Sequence, residues 1–153
     1  PFYMENFDRH LDAVQHDGVL SLTNEADRLL PLIANRDIAD AAARLLTDRD
    51  WTGQQNVPVF GPDKLTPRQM AEVMGDVVGR RVEYRQTSLS DFAARMAVRG
   101  ASEQAIQDMG EMYVAQNEGL YDKDWATVTP TATDLRTWFS AAIAAESGGN
   151  NRG

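Results

Sequence analysis

The side chains able to bind a metal are few and poorly spaced in this sequence. His10 and His16 lie six residues apart, so they do not share one helical face as zinc ligands at positions i and i+4 do. Both are therefore interpreted as histidines on the surface of a helix. Residues 48–53 begin like a calcium loop, but Val59 occupies the position where that loop requires a bidentate carboxylate. The sequence predicts no metal site.

Nucleophilic and proton-transfer catalysis have no local signature either. The chain has no cysteine, no serine in a G-x-S-x-G turn and no tyrosine followed four residues later by one of its two lysines, Lys64 and Lys123. The carboxylates of Asp37 and Asp40 are more simply a helix cap and an exposed helix residue than an acid/base pair. No catalytic residue can be assigned from these patterns.

A phosphate-binding glycine loop is also missing. Dinucleotide sites bring backbone N–H groups to the pyrophosphate through a glycine-rich turn between a strand and a helix. The glycines of this chain form neither G-x-G-x-x-G nor G-x-x-x-x-G-K, and Gly75 and Gly79 have a spacing typical of helix packing. The chain alone is therefore expected to bind no dinucleotide.

Composition describes an ordinary globular domain. The 153 residues are 42% hydrophobic and carry a net charge of −8, with no dense run of Lys or Arg. This charge disfavours nucleic acid as a partner, and no apolar run reaches the roughly 20 residues of a membrane span. We predict one cytoplasmic domain over residues 1–146, followed by a disordered tail over residues 147–153.

Periodicity predicts a helix-rich chain with three or four short strands. The clearest signal is Thr66-Pro67 with Gln69, which combines a capping residue, proline at the first helical position and a capping box. The predicted helices are 2–15, 38–46 with Asp37 as N-cap, 67–78, a helix capped by Ser88 or Ser90 and ending at Val98, 103–118, and one that starts at Thr133-Asp134. The predicted strands are 19–22, 56–60 and 81–86, with a further apolar stretch at 29–33. So few strands form no complete sheet, which predicts that something else completes the structure.

Several blocks, in this order, resemble the NmrA-like family of atypical short-chain dehydrogenase/reductase relatives. The blocks are Pro1-Phe2-Tyr3-Met4-Glu5-Asn6-Phe7, Asn35-Arg36-Asp37-Ile38-Ala39, Val59-Phe60-Gly61-Pro62-Asp63-Lys64-Leu65-Thr66, Gly79-Arg80-Arg81-Val82-Glu83-Tyr84, Asn117-Glu118-Gly119-Leu120-Tyr121 and Thr129-Pro130-Thr131. The resemblance extends to about Ala145 and lacks the family's N-terminal half. It implies an α/β fold (α+β as an isolated segment): the helix-rich, substrate-side half of an NAD(P)-binding Rossmann-type protein.

The resemblance also implies where ligands would lie. Pro1, Phe2 and Tyr3 would lie beside the nicotinamide of NAD(P). The remaining pocket would be formed by residues near that wall, in a loop at the pocket mouth and on a covering helix. Together with Phe2 and Tyr3, the implied substrate-binding residues are Glu5, Asn6, Ala34, Asn35, Met109, Met112 and Tyr113. The alternative interpretation is that Phe2, Tyr3 and Met112 are core residues, because apolar stripes on helices usually belong to the core.

Two functions of different classes follow from the resemblance. One is the substrate-binding half of an NAD(P)H-dependent oxidoreductase that transfers hydride to a small aromatic or quinone-like acceptor in the full-length protein. The other is a non-catalytic redox sensor or a module that binds a ligand or a protein. Without the missing half, exposed strand edges would favour pairing, so the expected protein partner is that Rossmann half or a second copy of the chain in a dimer. The other expected partner is a small apolar ligand.

Overall fold

The computed structural model describes residues 1–125 and 128–149. They form two small sheets surrounded by helices. The strands are β1 Phe2–Tyr3, β2 Val19–Leu22, β3 Leu30–Ile33, β4 Lys64–Leu65 and β5 Glu83–Gln86. The α-helices are α1 Asn35–Thr47, α2 Pro67–Val78, α3 Leu89–Val98, α4 Glu103–Asn117, α5 Asp122–Trp125 and α6 Leu135–Gly149. The prediction of one helix over residues 2–15 is wrong in its bounds: β1 takes Phe2–Tyr3, and a 3-10 helix, Met4–His10, and a π-helical turn, Ala13–Asp17, follow.

Strand pairing joins distant parts of the chain. In one sheet β3 lies between β1, to which it is parallel, and β4, to which it is antiparallel. In the other sheet β2 and β5 are parallel, with Val19 opposite Glu83 and Leu22 opposite Gln86. Because parallel strands need long crossover connections, the β2–β5 pair encloses β3, α1, β4 and α2.

The core lies where the N-terminal segment (residues 1–17), α2 and α6 pack on the strands. Phe7 is fully buried, with ring centroids 5.1 Å from Phe2 and 6.2 Å from Trp138. Met70 and Met74, one turn apart on α2, are buried in the same cluster. No residue of α3 or α4 belongs to this cluster. Among the described residues, no helix combines the length and hydropathy that crossing a membrane requires.

Most of the predicted helix ends are confirmed. Thr66 accepts a hydrogen bond from the Gln69 N–H, Gln69 closes the capping box, and Gly79 ends α2 at φ 69°. Ser88 and Ser102 cap α3 and α4 in the same way. Helix α6 continues to Gly149, past Ser147, where the sequence predicts the start of a tail; residues 150–153 of that tail lie outside the described residues.

The prediction of a strand at 56–60 is wrong. These residues form no ladder, and Val57 remains 47% exposed. The chain instead approaches β3 just beyond them, where the Gly61 N–H donates to the Leu32 carbonyl (2.7 Å) and the Leu32 N–H donates to the Asp63 carbonyl (2.9 Å). A Cβ on Gly61 would lie 2.8 Å from the Leu32 oxygen, so glycine permits this approach.

The prediction that Asp37 is the N-cap of its helix is also wrong. Helix α1 begins three residues earlier than predicted, at Asn35, with Ala34 at the N-cap, which places Asp37 in the first turn and buries it. Its carboxylate accepts hydrogen bonds from both hydroxyls of Thr131 and Thr133 and from the Thr133 N–H (3.1 Å). Asp37 therefore fixes α1 to the segment that leads into α6.

We expect Asp37→Asn to lower the free energy of unfolding at pH 7 by about 2 kcal/mol, since it removes a charged acceptor of buried hydrogen bonds. Burial opposes ionisation, but the bonds from Thr131 and Thr133 outweigh it and lower the pKa of Asp37. The contribution is therefore present above the ordinary Asp pKa of 3.8 and is lost as the pH falls through the lower folded value.

Urea unfolding between pH 7 and pH 2 measures this difference. The gap between Asp37→Asn and the unsubstituted protein should narrow below about pH 4, because the protonated Asp resembles Asn. Asp40→Asn, an exposed position one turn along α1, is the matched control and should change little. Equal effects of the two substitutions would contradict this role of Asp37.

Candidate functional site

A cavity of about 420 Å³ lies between the N-terminal segment and the α3–α4 pair. This volume is within the range of small-molecule sites. The end of β2 and Thr87, just before α3, complete its wall. The lining residues are Pro1, Phe2, Tyr3, Asn6, Arg9, His10, Ser21, Leu22, Thr23, Thr87, Phe92, Arg95, Met96, Arg99, Met109, Met112, Tyr113, Gln116 and Tyr121.

Helix α4 supplies the apolar wall of the cavity. Met109, Met112 and Tyr113 lie at positions i, i+3 and i+4 and therefore share one face of the helix. The Tyr113 ring meets Phe92 of α3 edge to face at 5.1 Å, which joins the two helices. Burial raises the pKa of Tyr113, although Arg9 counteracts it, so this phenol stays protonated at neutral pH.

Polar contacts, rather than core packing, hold the end of α4 in place. Asn24, buried in the β2–β3 connection, donates to the Gln116 side chain (2.9 Å), and Arg28 donates to the Gln116 carbonyl (3.2 Å). Arg28 and Lys64 also pair with Asp122, at 2.6 Å and 3.1 Å. We call these five residues the polar clamp. Gln116 is the one residue of α4 that is buried.

Tyr84 of β5 supports the same region. Its hydroxyl donates to the carbonyls of Leu22 and Asn24, so the end of β2 and the start of the polar clamp share one anchor. Desolvation raises the pKa of Tyr84 beyond its ordinary value of 10, which keeps the donor protonated. The cavity wall formed by Leu22 is fixed in this way.

The described residues do not build a cradle for a pyrophosphate. The connections from strand to helix pass through Ala34, through Thr66 or through Thr87-Ser88, and the 3-10 helix follows Tyr3 directly. None of these connections contains a glycine, and Pro67 lacks an N–H at the start of α2. Likewise, no group of three or more His, Cys, Asp or Glu side chains within residues 1–125 and 128–149 is arranged to hold a metal ion.

Comparison with known proteins decides the family. A model of the NmrA-like family matches residues 1–141. The chain belongs to the NmrA-like family.

Relatives of this NmrA-like chain include oxidoreductases. It is 30% identical over 129 residues to the uncharacterized oxidoreductase YesF of Bacillus subtilis, a match that covers 83% of the chain and 44% of YesF. It also resembles the structure of Citrobacter sp. triphenylmethane reductase complexed with NADP(H), with a TM-score of 0.68 and 20% identity over 93% of the chain and 50% of the reductase.

A second solved structure, the NADPH complex of an NADPH-dependent quinone oxidoreductase from Escherichia coli, gives a TM-score of 0.69 at 23% identity. The match covers 92% of the chain and 50% of that protein. These structures show that the chain has the mixed α/β fold of NAD(P)-binding NmrA-like reductases. The chain spans about half the length of the relatives it matches.

Most residues that the NmrA-like resemblance implied for the site do line the cavity. Those residues are Pro1, Phe2, Tyr3, Asn6, Met109, Met112 and Tyr113. Phe2 also belongs to the core cluster, so the core interpretation and the pocket interpretation both apply to it. The core interpretation does not apply to Tyr3, which is 47% exposed, or to Met112, which lies outside the core cluster.

Glu5, Ala34 and Asn35 do not line the cavity. Ala34 is fully buried at the start of α1, because β3 runs directly into the helix without the expected loop. Glu5 supports this junction instead: one carboxylate oxygen accepts from the Asn35 N–H (2.9 Å) and from the Trp138 indole N–H (3.2 Å). Glu5 is therefore not among the cavity residues, although the resemblance implied that it binds substrate.

Sequence reasoning missed the basic part of the cavity. Phe92, Arg95 and Met96 of α3 fall at i, i+3 and i+4, a spacing that places them on one face, and Arg99, the C-cap residue of α3, follows at i+7. This helical spacing is the signal in the sequence that could have identified these lining residues. His10 lines the cavity and is not the surface histidine that the sequence predicts, whereas the side chain of His16 is 72% exposed.

We expect the His10 imidazole to titrate near pH 4. Burial, together with the positive charges of Arg9 and Arg95, lowers its pKa from 6.5 to about 4. Nuclear magnetic resonance of the imidazole signals across pH 3 to 8 measures this value, and His16→Asn assigns the two histidines. Titration of His10 near pH 6.5 would contradict its placement in the cavity.

The lowered pKa of His10 also predicts how its contribution to the free energy of unfolding changes with pH. Because the folded pKa of His10 is below the unfolded value, its favourable contribution is complete above pH 6.5. It declines as the pH falls from 6.5 toward about 4, where the folded state also takes up the proton. His10→Asn should remove this part of the pH dependence of unfolding.

Proposed function

We propose that this chain is the substrate-binding half of an NAD(P)-dependent oxidoreductase that reduces a small aromatic or quinone-like acceptor in the full-length protein. The observation that carries the proposal is the cavity, because Pro1–Tyr3 and the α4 face with Met109, Met112 and Tyr113 line the same space. The oxidoreductase relatives and the NADP-bound structure neighbours support it.

The proposal divides the site between two segments. The bound cofactor supplies a hydride, and its pyrophosphate needs a glycine-rich cradle that the described residues do not contain. Matched relatives and structures are about twice as long as this chain, which supports a second segment holding most of the cofactor. Pro1, Phe2 and Tyr3 would then form the wall beside the nicotinamide.

Within the cavity, this chain orients the acceptor and excludes water. Flexible thioethers of Met109 and Met112 adapt to flat rings, and sulfur–aromatic contacts are favourable. The Tyr113 hydroxyl lines the cavity, has no hydrogen-bond partner among the described residues and remains protonated. It would donate a hydrogen bond to the acceptor oxygen on which negative charge develops during reduction.

We expect Met112→Ala to raise the KM for a quinone acceptor about tenfold, with little change in kcat or in the KM for NADPH. The substitution removes apolar contact with the acceptor in both ground and transition states, worth ~1.4 kcal/mol. The measurement is NADPH oxidation by the full-length protein with 1,4-naphthoquinone. The control is Leu46→Ala, because Leu46 lies on α1, is 83% exposed and does not line the cavity.

The alternative function is a sensor or binding module. Stoichiometric NADPH binding by the full-length protein, with no oxidation by quinone or azo acceptors, would contradict the oxidoreductase proposal and favour the sensor. Turnover that Met112→Ala leaves unchanged would place the acceptor outside this cavity.

A further inference from the structure

The charge around the cavity is opposite in sign to that of the chain. The whole sequence carries a net charge of −8, yet the lining includes Arg9, Arg95 and Arg99 and no Asp or Glu among the described residues. Glu5 and Asp8 belong to the same segment as Arg9, but neither lines the cavity. An acidic protein thus concentrates positive charge at one concave site.

The three arginines come together from two parts of the chain, and all three are exposed at the cavity. Arg95 lies in the last turn of α3, and Arg99, four residues further on, is the C-cap residue that ends this helix. Arg9 approaches from the N-terminal segment, oriented by hydrogen bonds to the Asn6 carbonyl (3.1 Å) and side chain (3.0 Å).

None of the ion pairs formed within residues 1–125 and 128–149 involves these three arginines. Elsewhere in the described chain Arg28, Arg68 and Arg136 each pair with an aspartate. Arg95 and Arg99 therefore keep their guanidinium donors available to a ligand, whereas Arg9 uses Nε and Nη2 on Asn6 and offers its remaining N–H groups.

Their positive field also reaches the cavity interior. Arg9 and Arg95 reinforce the effect of burial in lowering the pKa of His10, which lines the same space. His10 is therefore neutral at pH 7, so it adds no charge but offers one N–H donor and one nitrogen acceptor.

We propose that the acceptor bound in this cavity is an aromatic molecule bearing an anionic group, a carboxylate or a sulfonate. Arg9, Arg95 and Arg99 bind the anion through planar guanidinium groups, which match oxyanions in a bidentate geometry. Met96, Met109 and Met112 contact the ring system. This inference rests on the proposed function, because it specifies the acceptor of that reaction. A second source of the same oxyanion chemistry is the phosphates of the dinucleotide, and the test separates the two.

The test compares a charged ligand with its neutral analogue of the same shape. The full-length protein is titrated calorimetrically with 2-naphthoate and with 2-naphthamide. We expect 2-naphthoate to bind at least tenfold more tightly, and this preference to fall below threefold in R95Q/R99Q while 2-naphthamide affinity changes less than twofold. The control R44Q/R49Q removes the same charge from exposed positions outside the cavity and should keep the preference.

Two further measurements make the result decisive. R95K/R99K keeps the charge but not the bidentate geometry of the guanidinium groups, so it should retain only part of the preference, and 0.5 M NaCl should reduce the preference of the unsubstituted protein. If R95Q/R99Q does not fold, the R95K/R99K variant and the salt dependence decide whether the arginines bind the anion. Equal affinity of the unsubstituted protein for the two ligands would overturn the proposal.

A titration with NADPH separates the acceptor from the cofactor. If R95Q/R99Q weakens NADPH binding and leaves the preference for 2-naphthoate intact, the arginines serve the cofactor phosphates and the proposal is overturned. Because these experiments measure binding, a protein that binds 2-naphthoate preferentially but never oxidises NADPH would sink the oxidoreductase function and leave the anion site standing.

Discussion

The cavity depends on the way α4 is attached to the rest of the molecule. Neither α3 nor α4 contributes a residue to the core cluster, so packing within that cluster does not fix their position. The polar clamp holds the end of α4, through Asn24 and Arg28 on Gln116 and the paired charges at Asp122. The contact between Phe92 and Tyr113 joins α3 to α4. The clamp therefore positions the α4 wall of the cavity.

Local signals in the sequence predicted much of the fold. The capping box at Thr66 and the capping serines before α3 and α4 act within one helical turn, so a linear sequence contains all their determinants. The predictions for Asp37 and for residues 56–60 were wrong because their determinants lie far away in the sequence. Asp37 is stabilised by Thr131 and Thr133, more than 90 residues away, and Gly61 approaches β3 through a contact with Leu32 that no local pattern encodes.

The candidate site was predictable on its apolar side only. The opening segment and the α4 face were found through family resemblance, and both line the cavity. Its basic side was missed because Arg95 and Arg99 look like ordinary exposed residues at the end of an amphipathic helix. Both remain exposed in the structure, and only the fold brings Arg9 to line the same cavity. His10 was missed likewise, since its burial comes from tertiary packing. Charge complementarity across a cavity is a property of the fold.

The six methionines offer the most direct test, because they divide into two matched groups. Met4, Met70 and Met74 are fully buried in the core, whereas Met96, Met109 and Met112 line the cavity. With ¹³C-labelled methionine methyl groups in the full-length protein, 2-naphthoate should shift the signals of the cavity group and leave the core group unchanged. Shifts confined to the core group, or no shifts while calorimetry shows binding, would contradict the account.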